Sequence, residues 1–541
     1  SRKSGPRNSI IHRENDMLNE LILVNGRIHT MDDANTVVSS VSIEGGRFAA
    51  LGDNLKSRGP DARIVDLQGR TAVPGLIDNH VHFLRTGLLP GHDMRALETA
   101  FSVGEALSLI NARARIVPRG ELLSAIGGIH PGQFAERRYP SLEELDDAAP
   151  EHPVYLSISN WGPGATNSLA RHLLQELGVP VGKEGIVAKG EDTVAAWNAL
   201  SSKRTYCDTL RQTESQMKFA LSMGLTCLFD MGGTIPAGGW LDPATGYDPL
   251  FELMREDRLR MRIRIFLPVL DTSAALPDLT ARLDNTFNEF GNDFVRIAGI
   301  GEWLIPAKLQ RRQPLPDFYA ASVRAVAERG WVYRQHLITL SEQKEHLRVW
   351  EKVNKSVKIA GLHWSMDHCY GMDKETLNRA IDLGVGIGSH SSPYLGDSLK
   401  SPGNPPFRMI MDSGIVAGGG SDGARISAIN PWVMLYYAVT GKNYAGKPIN
   451  SEQSISREEA LRIWTAPQGW FCREERNLGG IAVGKFGDLS VLSDDFFDES
   501  AVQDDDIRNI TSVLTVVGGK IAHDAGLLRT RDAEARKAPS I

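Results

Sequence analysis

Cysteine is scarce in this 541-residue chain: the four residues Cys207, Cys227, Cys369 and Cys472 lie far apart, with no C-x-x-C pair. That spacing excludes a thiolate zinc site or a dithiol redox motif, and it points to a reducing, cytoplasmic setting. Long apolar runs are missing as well. None approaches the ~20 residues that cross a bilayer, so no membrane partner is expected. Charge is nearly balanced, 60 Lys and Arg against 66 Asp and Glu for a net charge of −6. The basic excess typical of a nucleic-acid binder is therefore absent. "GGIAVGKFGD" lacks Walker spacing, "AGGGSDGA" makes a poor dinucleotide fingerprint, and no G-x-S-x-G nucleophile elbow occurs. The polar opening "SRKSGPRNSIIHREN" has no apolar signal core and reads as a flexible tail.

What is present is a patterned α/β chain with 42% hydrophobic and 23% charged residues. Short strands with turns at Gly26, Gly45, Gly46 and Gly69 occupy 18–74, and the same texture returns over 476–525. The two blocks are expected to pair into one small β-sandwich, with residues 75–475 inserted between them and 1–17 and 526–541 as tails. Inside 75–475, strand-like runs alternate with helical ones, the signature of β/α units. Eight candidate strands end near "LIDNHVHF", "LTCLFDMGG", "MRIRIFLPV", "VRIAGIGEWLI", "WVYRQHLI", "HWSMDHCY", "VGIGSHSSP" and "GIVAGGGSDG". Eight is the number that closes a TIM-like (β/α)8 barrel. Residues 84–218 are too long for a simple crossover and are expected to form a mostly helical insertion over the catalytic face, with Trp161 near its tip.

Chemistry in such a barrel belongs at the C-terminal strand ends. His80 and His82, two apart, share one face of an extended strand and can grip one ion. Taken alone, they could equally be two satisfied core histidines. Later strand ends add Glu302, His336, His368 and Asp422. Nitrogen and carboxylate donors converging on one mouth suit one or two divalent ions, zinc first, with iron or manganese as alternatives.

In this order the motifs "PGLIDNHVH", "GLTCLFDMGG", His336, His368 and "GSDG" resemble the amidohydrolase superfamily of metal-dependent hydrolases, over residues 18–525. The long insertion after the first strand is similar to the branch that contains N-substituted formamide deformylase. The resemblance implies a distorted TIM-like barrel with a β-sandwich built from both chain ends. It also implies that His80, His82, His336 and His368 are metal ligands, and that Asp422 is both ligand and general base, with His368 also catalytic. Relatives with two metals often carry a carboxylated lysine on the fourth strand. Here "GIGEWLIPAK" places Gly301 or Glu302 at that position, and Glu302 is expected to bridge two ions, with Lys308 a weaker candidate. "HLITLSE" after His336 lacks the glycine and acid common in relatives, which leaves that acid's role open in this chain.

His390, Arg334, Trp303 and Tyr370 are the candidates for contact with substrate. His390 would offer a neutral hydrogen bond, and Arg334 would either bind an anionic group or pair with a local acid. The reaction expected first is hydrolysis of a C–N bond in an amide, formamide, carbamate or cyclic amide of a small molecule. Deamination, decarboxylation or oxygen-dependent chemistry on the same site is the alternative, and a non-enzymatic family member the remote one. Substrate identity is not written in these motifs. A symmetric homo-oligomer is the default assembly.

Overall fold

The computed structural model describes residues 20–528 except 57–61, 160, 233–245, 286–287, 391–402 and 425–426; the two expected tails lie outside the described residues apart from 526–528. Eight parallel strands follow the chain: β1 (Leu76–Val81), β2 (Leu225–Asp230), β3 (Arg262–Leu267), β4 (Val295–Ile300), β5 (Arg334–Leu337), β6 (Ser365–His368), β7 (Gly386–His390) and β8 (Ala417–Gly420). They pair in two arcs, β1 to β4 and β5 to β8, each strand beside its neighbour in sequence. Parallel bridges at Ile300–Tyr333 and Val81–Gly423 join the arcs at two seams. Every residue of β1, β2 and β3 is buried, because helices cover the outside and side chains fill the inside. Their polar residues are therefore buried too: Asp78, Asn79 and His80 in β1, Asp230 in β2, and Arg262 and Arg264 in β3.

Alternate residues serve two cores. Leu225, Leu228, Ile263, Ile265 and Leu267 join the large cluster beneath the outer helices. Cys227, Phe229 and Phe266 join Ile77, Ala298 and Phe471 in a second cluster. The glycine run of β8 has a packing cause. A Cβ on Gly420 would stand 2.8 Å from the His80 amide nitrogen and 2.9 Å from a ring carbon of His390, so β8 approaches β1 and β7 only without side chains.

Both chain ends contribute to the remaining β-structure. A six-stranded sheet runs in the order Lys520–Asp524, Ser512–Val517, Leu489–Leu492, Thr71–Pro74, Arg27–His29 and Val37–Val38. A four-stranded sheet of Arg47–Gly52, Ser40–Glu44, Leu21–Val24 and Arg63–Asp66 accompanies it. They share one core, in which Leu23, Val41 and Val65 pack with Leu489, Val491 and Val516. No helix among the described residues is long and apolar enough to cross a membrane.

The segment after β1 is mostly helical in its regular structure, as expected, but also contains a sheet that the expectation left out. It carries a five-stranded sheet of Ile186–Val187, Gly164–Thr166, Val154–Ser157, Leu123–Ile126 and His92–Asp93, flanked by helices such as Val103–Ala114 and Ser168–Glu176. Its strands are only two to four residues long. Apolar runs that short carry no period of their own and do not stand out beside the longer amphipathic segments.

At the start of β3, the Arg262 guanidinium grips the Asp488 carboxylate at 2.7 and 2.9 Å and lies 3.7 Å over the Phe486 ring. Asp488 also accepts the Gly518 amide at 2.7 Å, which ties the chain-end sheet to the barrel. Removing one partner of a buried pair strands the other charge. Asp488→Ala is therefore expected to lower stability by about 3–5 kcal/mol and Asp488→Asn by less, read by thermal or denaturant melting; an unchanged melting point in the alanine variant would refute the role given to this pair.

Candidate metal centre

The polar residues meet where the two arcs are sewn together. At the β8–β1 seam the Asp422 amide donates to the His80 carbonyl at 2.7 Å, and the His82 amide to the Gly423 carbonyl at 3.3 Å. At the β4–β5 seam the His336 amide donates to the Glu302 carbonyl at 3.1 Å. Backbone pairing thus fixes the spacing of the side chains above it. His368 and Asp422 have left-handed backbones, with φ of 73° and 53°. Such conformations cost of order 1–3 kcal/mol for a non-glycine residue and cluster at functional sites. At His368 this turn brings two consecutive side chains, Asp367 and His368, into the cluster, which regular strand alternation would forbid.

Two separate triads result. His80, His82 and Asp422 form one and Glu302, His336 and His368 the other; in each, one potential ligand atom per residue lies within 4.8 Å of the others. His80, His368 and His390 form a further overlapping group. Glu302 stands between the triads. Its carboxylate lies 2.6 Å from His336 Nδ1, 3.7 Å from His368 Nε2, 3.3 Å from His82 Nε2 and 3.5 Å from His80 Nε2. Asp422 lies 3.2 Å from His82 Nε2 and 4.0 Å from His80 Nε2.

Burial alone would push both carboxyls upward, but the surrounding imidazoles dominate. His336, His82 and His368 hold Glu302 well below the usual carboxylate range, and His82, His368 and His80 bring Asp422 to about 2. Both are therefore ionised at neutral pH. Burial disfavours a charge on His80, yet Asp367 and Glu302 raise it to about 10. Burial and the neighbouring His336 push His368 down to about 4.

The donor set fits a divalent ion on two observations. His80 turns Nδ1 to the Asp367 carboxylate at 2.8 Å, and His82 turns Nδ1 to the Gly232 carbonyl at 2.9 Å. Each Nε2 is left facing the centre, the arrangement that metal-ligating histidines adopt. Moreover, the Nε2 atoms of His80, His336, His368 and His390 are buried without a hydrogen-bond partner. Orphaned buried nitrogens are rare, and a cation gives them one.

Of the residues singled out from sequence, His80, His82, Glu302, His336, His368, His390 and Asp422 come together. His390 packs against His80 and His368 with ring centroids 4.2 and 4.5 Å away, its Nδ1 3.1 Å from His368 Nδ1. Trp303 lies over the His336 ring at 4.3 Å, and the Tyr370 hydroxyl is 3.3 Å from His368 Nδ1. Lys308 is exposed on the short helix Ala307–Gln310, outside the cluster. Arg334 is the correction. It is fully buried, its guanidinium doubly bonded to Asp367 at 2.9 and 3.1 Å and to the Asn79 carbonyl, so of its two expected roles the structure places the pairing with a local acid.

Three supporting acids were missed. Asp367 holds His80. Asp78 accepts the His80 amide at 3.1 Å and the Ser421 amide at 2.9 Å, bracing the residue before Asp422. Asp230 accepts the Gly232 and Leu84 amides and the Tyr247 hydroxyl, setting the carbonyl that orients His82. A sequence signal existed for two of them: Asp78 lies two residues before His80, and Asp367 directly precedes His368.

Residues 63–523 match the amidohydrolase family. N-substituted formamide deformylase of Arthrobacter pascens is 23% identical over 94% of this chain and 99% of that protein. Among solved structures, an uncharacterized metal-dependent hydrolase of Pyrococcus furiosus superposes with a TM-score of 0.57 at 20% identity, covering 88% of this chain and all of its own. Atrazine chlorohydrolase of Arthrobacter aurescens TC1, complexed with zinc, does so with a TM-score of 0.55 at 16% identity, covering 96% of this chain and all of its own. With the match spanning both seams of the barrel and all seven clustered side chains, this chain belongs to the amidohydrolase family.

Proposed function

We propose that this protein hydrolyses a C–N bond in an amide-type small molecule, with N-substituted formamides as the first class to test, at a centre of two divalent ions, zinc foremost. The observation that carries the reading is the pair of disjoint triads with the Glu302 carboxylate between them. The formamide class comes from the name of the Arthrobacter relative, which covers nearly the whole chain.

In this reading His80, His82 and Asp422 would hold one ion, His336 and His368 the other, and Glu302 both. When bound, such ions supply Lewis acidity: they bring the pKa of water toward neutrality and polarise a carbonyl. The protein's own groups then handle the protons. Asp422, ionised and itself part of the first triad, takes a proton from the attacking water and returns it to the leaving nitrogen as the C–N bond breaks. Its low pKa in the cluster keeps the base form available. His390, buried between His80 and His368, offers a hydrogen bond to the substrate carbonyl oxygen, and Trp303 and Tyr370 line the approach. Asp367 locks His80 in one tautomer, and its charge is compensated by Arg334.

Three outcomes follow. Chelation should abolish turnover of a formamide or related amide and zinc should restore it, with two ions per chain by metal analysis and at most one in Glu302→Ala; two tightly held ions in that variant would remove the bridge. Asp422→Asn should lose turnover by roughly 10²–10⁴-fold, whereas activity near the parent level would exclude Asp422 as the base. Asp367→Asn should weaken metal affinity by about 10–100-fold in a chelator competition, while substrate KM after reloading with excess zinc stays close to that of the parent.

A further inference from the structure

The insertion after β1 reaches the catalytic strand ends through one buried side chain. Glu98, fully buried, accepts the Ile429 amide at 2.8 Å and the Asn430 amide at 2.9 Å on one oxygen. Its other oxygen takes the Arg95 guanidinium at 2.8 Å. Arg95 is anchored in turn, to the Gly127 carbonyl at 2.8 Å and to the Gln216 side chain at 3.1 Å. The approach is close enough to require glycine at position 128, where a Cβ would stand 2.3 Å from the Glu98 carboxylate and 2.5 Å from Arg95.

Ile429 and Asn430 close the loop that begins at Asp422. Gly423 is bridged to Ser427, and a Cβ on Gly423 would lie 2.8 Å from the Ile429 side chain and 3.2 Å from the Ala428 carbonyl. The far limb of the loop thus rests directly on the residue beside Asp422. Asn430 then caps the helix Pro431–Thr440 by accepting the Trp432 amide at 3.0 Å. Two amides that would otherwise be left over at that helix start are spent on a carboxylate from a different part of the chain.

From this geometry we infer that Glu98 is a positioning residue for Asp422: the insertion braces the loop that carries the base, and the Arg95–Glu98 pair is the brace. This rests on the reading of Asp422 given above. A carboxylate is what the position requires, since it accepts on both oxygens; a carboxamide has one acceptor and would turn an N–H toward either Arg95 or the loop amides. Aspartate keeps the charge beside Arg95 but falls a methylene short of the loop.

The test compares Glu98→Gln and Glu98→Asp with the parent in the full-length, zinc-loaded protein. Hydrogen exchange followed by mass spectrometry is expected to show at least roughly tenfold faster exchange over residues 421–431, with peptides across β2 and β3 unchanged. Turnover of an N-substituted formamide is expected to fall by roughly 10–100-fold in kcat, with KM held within about twofold. Parent-like exchange over 421–431 in both variants, or an equal rise throughout the barrel, would overturn the inference. If Asp422→Asn retains parent turnover while exchange over 421–431 still rises in the Glu98 variants, the brace stands and the assignment of the base falls. If Asp422→Asn is inactive and both Glu98 variants turn over normally, the brace falls and the base stands.

Discussion

The centre depends on one buried ion pair. Arg334 on β5 holds Asp367 on β6 with two hydrogen bonds, donates to the Asn79 carbonyl on β1, and lies within 5.2–6.0 Å of the Phe229, Phe266 and Phe471 rings. A charge taken that far from water is costly unless it is paired and its donors satisfied, and here three strands and three aromatic faces meet the requirement. The return on that cost is orientation. Asp367, held by Arg334, engages Nδ1 of His80 and so turns Nε2 toward the cluster. Asp230 does the same for His82 through the Gly232 carbonyl, and Asp78 for Asp422 through Ser421. Each first-strand or eighth-strand donor therefore has its own acid behind it.

Sequence exposed the donors and hid their supports. His-x-His at the end of an apolar run, followed by Glu302, His336, His368 and Asp422 at later strand ends, is a pattern because strand ends share a mouth whatever the spacing between them. The eight strands were legible because short strand-like runs alternate with longer amphipathic helical ones along the chain. Arg334 was not legible as a core residue. Its place beside His336 on one strand face is periodic, but whether it stands in the mouth or below it depends on how deep β5 sits in the barrel, which no local pattern states. The five-stranded sheet in the insertion was hidden because strands of two to four residues are too short to show a period. His368 was found through its neighbours in the pattern rather than its phase: its left-handed backbone breaks the alternation by which a strand is read.

The glycine-rich end of β8 illustrates how a weak motif acquires meaning. As a dinucleotide fingerprint, "AGGGSDGA" fails on spacing. In the barrel it is a strand whose side chains have been removed so that Asn79, His80, His390 and Trp464 can close on it. Tight closure at the β8–β1 seam puts the Asp422 amide on the His80 carbonyl, and so the distance between two donors of one triad is set by backbone geometry, which varies little, instead of by flexible side chains. The triad of Glu302, His336 and His368 is built the same way at the other seam, with the Glu302 carbonyl on the His336 amide.

Charge counting then separates the acids into two kinds. Asp367 is neutralised by Arg334, and Asp78 spends its carboxylate on the His80 and Ser421 amides and the Ser421 hydroxyl, so neither faces the centre as a free charge. Glu302 and Asp422 are the carboxylates left facing it, amid imidazoles that bind a metal in their neutral form. On the two-ion reading, a formal −2 from the protein meets +4, and the remainder is a net positive site walled by low-polarity surroundings. Such a site would favour deprotonated water and negative charge growing on a carbonyl oxygen, and a further anionic side chain within reach would cancel part of that charge. A compensated Asp367 beneath the His80 ring and the neutral groups His390, Trp303 and Tyr370 around the cluster leave it in place.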